Sequence, residues 1–167
     1  MSNSEDNVRD SLIRLHRAPE MVPPKSWMPR VYLYSDEING AGFAGSAFSS
    51  SDCIVVQGAS RGWIIDAESG IMLSDRKDDA AGIDTVGLAK HTPDGWTAEL
   101  VVEPDDWDIA VLVAPGVSLF AGAFPGWDVV TKIKSFHTLR AWGFSPSGNT
   151  LVLLAPGMVW SYWRSRE

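Results

Sequence analysis

Residues 103–108 hold four carboxylates, Glu103, Asp105, Asp106 and Asp108, the densest acidic cluster in the chain. A calcium loop of the EF-hand kind needs alternating Asp residues, a central Gly and a distal Glu, and this stretch has no such spacing. Glycoside hydrolysis needs two carboxyl groups facing each other across a cleft, which neighbours in one turn do not supply. The cluster falls between two expected strands, so it reads as a solvated hairpin tip and as a contact for a basic partner.

Tryptophan is the second unusual feature, with eight in 167 residues. Trp63, Trp142 and Trp160 fall inside apolar runs and are expected in the core. Trp96, Trp107 and Trp127 stand at turn edges beside Asp or Gly, where a large ring is half exposed and can stack on a sugar or anchor a protein interface. The expected partner-binding set is therefore Glu103, Asp105, Asp106, Asp108, Trp96, Trp107 and Trp127.

Other chemistry finds little support. His16, His91 and His137 are far apart in the chain, with none in a ligand-spaced pair. Cys53 opens an apolar run, where burial raises a thiol's pKa and leaves it inert, and a single cysteine excludes an internal disulfide. No Gly-x-Ser-x-Gly elbow or Walker-type loop occurs. Gly40, Gly42 and Gly45 are not followed by a helix whose N-terminus could hold a phosphate, so they read as a strand entry where another backbone comes close. No catalytic residue, metal or cofactor is expected.

The net charge of −7 is unevenly spread: residues 1–30 carry +1, residues 31–128 carry −12 and residues 129–167 carry +4. The acidic middle repels phosphate backbones and anionic lipid, so nucleic acid and membrane are not expected partners. Any such binding would fall to Lys132, Lys134, Arg140, Arg164 and Arg166. No run approaches the ~20 apolar residues that span a bilayer, and the first residues carry acid where a secretory signal carries base. A cytoplasmic, reducing location is expected.

These residues must be positioned by mostly β structure. Residues 4–17 alone read as a helix, with Glu5 and Asp6 in the first turn, Arg14 and Arg17 in the last, and Val8, Leu12 and Leu15 on one face. Pro19, Pro23, Pro24 and Pro29 then impose an extended connector, so the helix packs onto the domain as a separate arm or is a mobile leader. The rest is short β-branched and aromatic runs between Gly, Pro, Ser and Asp, with strands expected at 31–34, 42–48, 53–57, 62–66, 71–74, 85–90, 96–103, 108–113, 117–121, 129–133, 139–144, 150–154 and 158–162. Residues 75–81 read as loop. The expected fold is mainly β, an antiparallel meander, small barrel or set of blade-like sheets with one N-terminal helix. The expected organisation is a helix and connector over 1–30 and a single all-β domain over 31–167.

Two internal pairings appear. Ala114-Pro115-Gly116 and Ala155-Pro156-Gly157 each follow an apolar run and each read as a hairpin turn. Thr92-Pro93-Asp94-Gly95 and Ser145-Pro146-Ser147-Gly148 each launch a strand. The stretch from Phe144 through Gly148, followed by 151–154 and Val159-Trp160, resembles a blade of the WD-repeat and related β-propeller families, as do Ile64 to Asp66 with the turn to Gly70. The resemblance covers two or three blade-like units within 42–163 and implies blade-type sheets, short of a full propeller. In the final strand the set Met158, Trp160 and Tyr162 is expected inward, since the other set contains Ser161. Functionally these features point to an acidic protein-binding module, of the inhibitor or immunity type, docking on a basic partner. The alternative is a β domain that binds a sugar or small molecule, or acts on it, through exposed Trp.

Overall fold

The computed structural model describes residues 3–20, 24, 26–45, 52–81, 85–86, 88–102 and 107–165. Twelve strands and two helices follow in chain order: α1 (Asn3–Arg17), β1 (Met28–Tyr34), β2 (Ile38–Ala44), β3 (Cys53–Gly58), β4 (Gly62–Asp66), β5 (Met72–Ser74), α2 (Lys77–Ala81), β6 (Thr85–Val86), β7 (Thr97–Val101), β8 (Asp108–Val113), β9 (Val130–Phe136), β10 (Ala141–Phe144), β11 (Thr150–Ala155) and β12 (Met158–Trp163). All pairings are antiparallel and build three sheets, ordered β1-β12-β11-β10, β5-β4-β3-β2-β6 and β7-β8-β9. The mainly-β reading holds, as open sheets and not a barrel. Among the described residues no helix is long and apolar enough to cross a membrane.

The sheets stack in layers, with β1-β12-β11-β10 in the middle. Leu151, Leu153 and Tyr162 pack with Ala110, Leu112, Ile133 and Phe136 of the β7-β8-β9 sheet. Val31, Val152, Leu154 and Val159 pack with Phe43, Ile54, Val56, Trp63 and Ile65 on the other side. The outer face of β7-β8-β9 is covered by α1 through Leu12 and Leu15, against Val101, Ile109, Val111 and Val130. The outer face of the remaining sheet, with Cys53, Val55 and Ile64, receives Ala80 of α2. Alternate residues of β3, β4, β8 and β11 therefore feed two different cores, which is why these strands read as continuous apolar runs.

Several expectations change. Both sets of β12 are inward, because the middle sheet packs on both faces: Val159 and Ser161 are as buried as Tyr162, and among the described residues the Ser161 hydroxyl has no hydrogen-bond partner. The segment expected as loop contains α2. Residues 117–121 form no strand, since β8 takes β9 as its partner and Leu119 and Phe120 fold back onto the α1 core. Consequently only the second Ala-Pro-Gly turn makes a hairpin, with Ala155 opposite Met158, although Gly116 and Gly157 share nearly the same positive φ of 76° and 73°. Of the two expectations for α1, packing onto the domain holds, since Leu15 is fully buried against β8 and β9.

Two basic residues of the C-terminal stretch, Lys132 and Arg164, are turned inward, whereas Arg140 is exposed. Lys132 Nζ donates to the His16 and Ala18 carbonyl oxygens at 3.4 and 2.9 Å, capping α1, and Lys134 pairs with Glu20 at 3.3 Å. Arg166 lies outside the described residues. Arg164 is buried beside the two related turns: its Nε donates to the Gly148 carbonyl at 3.2 Å, its guanidinium pairs with Asp94 at 2.5 Å, and it lies 4.7 Å from the Trp27 ring centre. The turns are chemically alike, Gly95 and Gly148 donating back to Thr92 and Ser145 at 3.0 and 2.9 Å.

This clamp predicts a pH effect. The Arg164 hydrogen bond holds the Asp94 carboxyl well below the usual carboxylate range, against a smaller opposing effect of desolvation. A depressed folded-state pKa contributes stability above the unfolded value of about 4, and that stability is lost as pH falls through the folded value. Arg164→Met is expected to cost roughly 1–3 kcal/mol, because Asp94 is half exposed and no buried charge is stranded. It is also expected to flatten the acid limb of stability below about pH 4, checked by urea melts at pH 2.5 and 7. An acid limb equal to that of the wild type would refute the assignment.

Candidate partner-binding surface

The fold separates the expected binding residues. Glu103, Asp105 and Asp106 lie outside the described residues. Asp108 opens β8 and its Oδ2 accepts the Leu139 N–H at 2.8 Å, so its side chain holds the 137–139 loop instead of facing a partner. Trp96 is half buried, its ring edge-on to Trp27 at 6.0 Å and under the Arg164 guanidinium at 5.8 Å. It belongs to the core because its N–H bonds the Thr92 hydroxyl at 2.8 Å, folding the turn back over the sheet.

Among the described residues of the set, Trp107 and Trp127 are exposed, at opposite ends of one ladder. Trp107 precedes the pair Asp108 and Phe136, whereas Trp127 precedes Val130, the partner of Val113. The ends of a six-residue strand are roughly 17 Å apart at about 3.4 Å per residue, so the two rings do not converge.

At the first end, Trp107 is 54% exposed and stacks on His137, with ring centres 6.1 Å apart and planes at 21°. Val102, just past β7, is 61% exposed. Two apolar side chains thus flank the acidic residues of 103–106 in sequence. A ring braced on imidazole loses less rotamer freedom on binding than a free one, which suits an anchor. At the other end, Trp127 tilts against Phe124 at 4.7 Å and lines a groove beside α1.

Some exposed side chains were not singled out in the sequence. Tyr32 and Tyr34 of β1 stand on an outer strand of the middle sheet, Tyr32 against Trp160 at 5.2 Å. Met72 and Leu73 lie in the edge strand β5 and Ile71 just before it. Their residue types promise burial, and only edge position leaves them in water.

Cys53 is buried at the head of β3. Among the described residues no group of three His, Cys, Asp or Glu is placed to hold a metal ion. His91 Nδ1 is 3.1 Å from the Thr97 hydroxyl, and Glu99 follows on the same face of β7, where burial pushes its carboxyl up against the opposing charge of His91. These three residues line neither the groove beside α1 nor the smaller one of about 280 Å³ between Gln57, Arg61 and Lys77. Burial, reinforced by the Glu20 charge, also pushes the Tyr162 phenol up to about 12, and this group belongs to the core.

Comparison with known proteins adds no relative: no protein-family model, no curated protein and no solved structure matches the chain.

Proposed function

We propose that this protein is a protein-binding module that docks on a basic partner through the β7–β8 end of its outer sheet, in the manner of a cognate inhibitor or immunity protein. Trp107 is the anchor, Val102 extends its apolar contact, and Glu103, Asp105 and Asp106 steer the partner by charge. The observation that carries this reading is the exposure of Trp107, held against His137 beside an acidic stretch instead of folding into either adjacent core. Aromatic anchors concentrate binding energy, and complementary charge mainly speeds association.

The test is affinity capture from native cells, followed by titration of the captured partner against variants. Trp107→Ala is expected to weaken binding about 30-fold or more, as loss of a hot-spot aromatic does, with the thermal melt unchanged. Neutralising Glu103, Asp105 and Asp106 together is expected to slow association and remove most of its salt dependence. A partner bound equally well by both variants would overturn the reading.

A further inference from the structure

We propose a second site, a small-molecule site for a flat amphipathic anion, in the groove between α1 and the loop that carries Trp127. It lies at the opposite end of the sheet from Trp107 and does not depend on the protein-binding reading. The groove has a volume of about 630 Å³, within the range of small-molecule sites. Its walls hold two large apolar side chains in water, Ile13 at 41% and Trp127 at 36% exposure. They come from different elements, a helix and a loop, and line the same space.

Charge selects the occupant. Asp10, Ile13, Arg14 and Arg17 share one face of α1 at three- and four-residue spacing, opposite the face that packs through Leu12 and Leu15. Asp10 pairs with Arg14 at 2.8 Å, and the Arg14 guanidinium also lies 5.8 Å from the Phe124 ring centre. Among the described residues nothing pairs with Arg17. The end of a helix ordinarily disfavours an anion because its last carbonyls are unsatisfied. Here the Lys132 ammonium donates to two of those carbonyls, His16 and Ala18, and adds its own positive charge behind the groove. Among the described lining residues one carboxylate, Asp10, stands with two guanidinium groups, Arg14 and Arg17, a local excess of positive charge on a chain of net −7. Asp128, next to Trp127 in the chain, is not part of the wall.

A ligand that satisfies this wall stacks an aromatic plane between Trp127 and Ile13 and presents one carboxylate to Arg17. Sugars, which are neutral and demand several hydrogen-bonding side chains, fit it less well than an aromatic carboxylate does.

The probe is 2-naphthoate at pH 7, with the neutral isostere 2-naphthylmethanol as its control, followed through the indole N–H signals of 15N-labelled full-length protein. The signal lost in Trp127→Phe is expected to shift saturably with 2-naphthoate, and at least several-fold less with the alcohol at equal concentration. Arg17→Gln is expected to weaken 2-naphthoate about 5-fold while leaving the alcohol unchanged, the size of one partly solvent-exposed ion pair. Trp107→Phe is expected to leave both titrations unchanged, so failure of the Trp107 surface and failure of this groove remain separable. The proposal is overturned if the Trp127 signal does not saturate up to millimolar 2-naphthoate. It is equally overturned if acid and alcohol shift that signal alike in both the wild type and Arg17→Gln, which would mark a greasy surface without anion selection.

Discussion

A chain that ends at Gly157 is expected not to fold. The deletion removes β12, which lies between β1 and β11, so two ladders are lost and β1 loses its only partner among the described residues of the middle sheet. Val159 packs in one core and Tyr162 with Trp160 in the other, so both sheet–sheet interfaces open together. Burial of such side chains contributes roughly 1.5–3 kcal/mol each, and the whole domain has only about 5–15 kcal/mol to lose. Circular dichroism of the 1–157 chain should show no cooperative thermal transition, whereas a retained one would show that the middle sheet closes without β12. Removal of residues 1–18 is a milder lesion. It uncovers one outer face, including the site of Leu15, and leaves all three sheets their strands.

Gly143→Ala is expected to destabilise the protein by about 3 kcal/mol or more. Gly143 sits in β10 with φ +152°, and an added Cβ would lie 2.5 Å from the Ala89 carbonyl oxygen and 2.8 Å from the Leu88 Cβ. The approach cannot relax cheaply. Phe144 and Ala89 exchange both backbone hydrogen bonds, at 2.7 and 3.1 Å, and this pins the 88–89 segment across the strand. Opening it would strip cover from Phe144, which is fully buried against Trp27 at 5.5 Å. Chemical denaturation of Gly143→Ala beside Gly122→Ala, whose added Cβ meets nothing within 4 Å, checks the effect. Equal midpoints for the two variants would show that the close approach at Gly143 carries no energy.

The surface chemistry was only partly legible, and the reason differs by residue. Turn-edge position correctly singled out Trp107 and Trp127 as exposed, since a ring beside the start of a strand has no neighbouring strand above it. Trp96 is only partly buried, and the Thr92 turn folds it back toward Trp27 and Arg164, residues 69 and 68 positions away in the chain. Lys132 and Arg164 look like free basic residues by composition. Their burial depends on acceptors brought by α1 and by the two Gly turns, none of them sequence neighbours.

By itself the sequence determined the class of most segments, but not that of α2 or of residues 117–121. Glu and Asp at one end and Arg at the other specify α1, and β-branched runs between turn residues specify most strands, because each rests on local dihedral and dipole preferences, whereas the same Ala-Pro-Gly turn makes a hairpin at 155–157 and none at 114–116. Tertiary structure alone decided that β1 pairs with β12 across about 130 residues, that the middle sheet has two buried faces, and that the exposed tryptophans lie apart. A run apolar on both faces carries no signal for which neighbour each face meets. That choice is made by the summed packing of whole sheets, in which no single residue has a majority share.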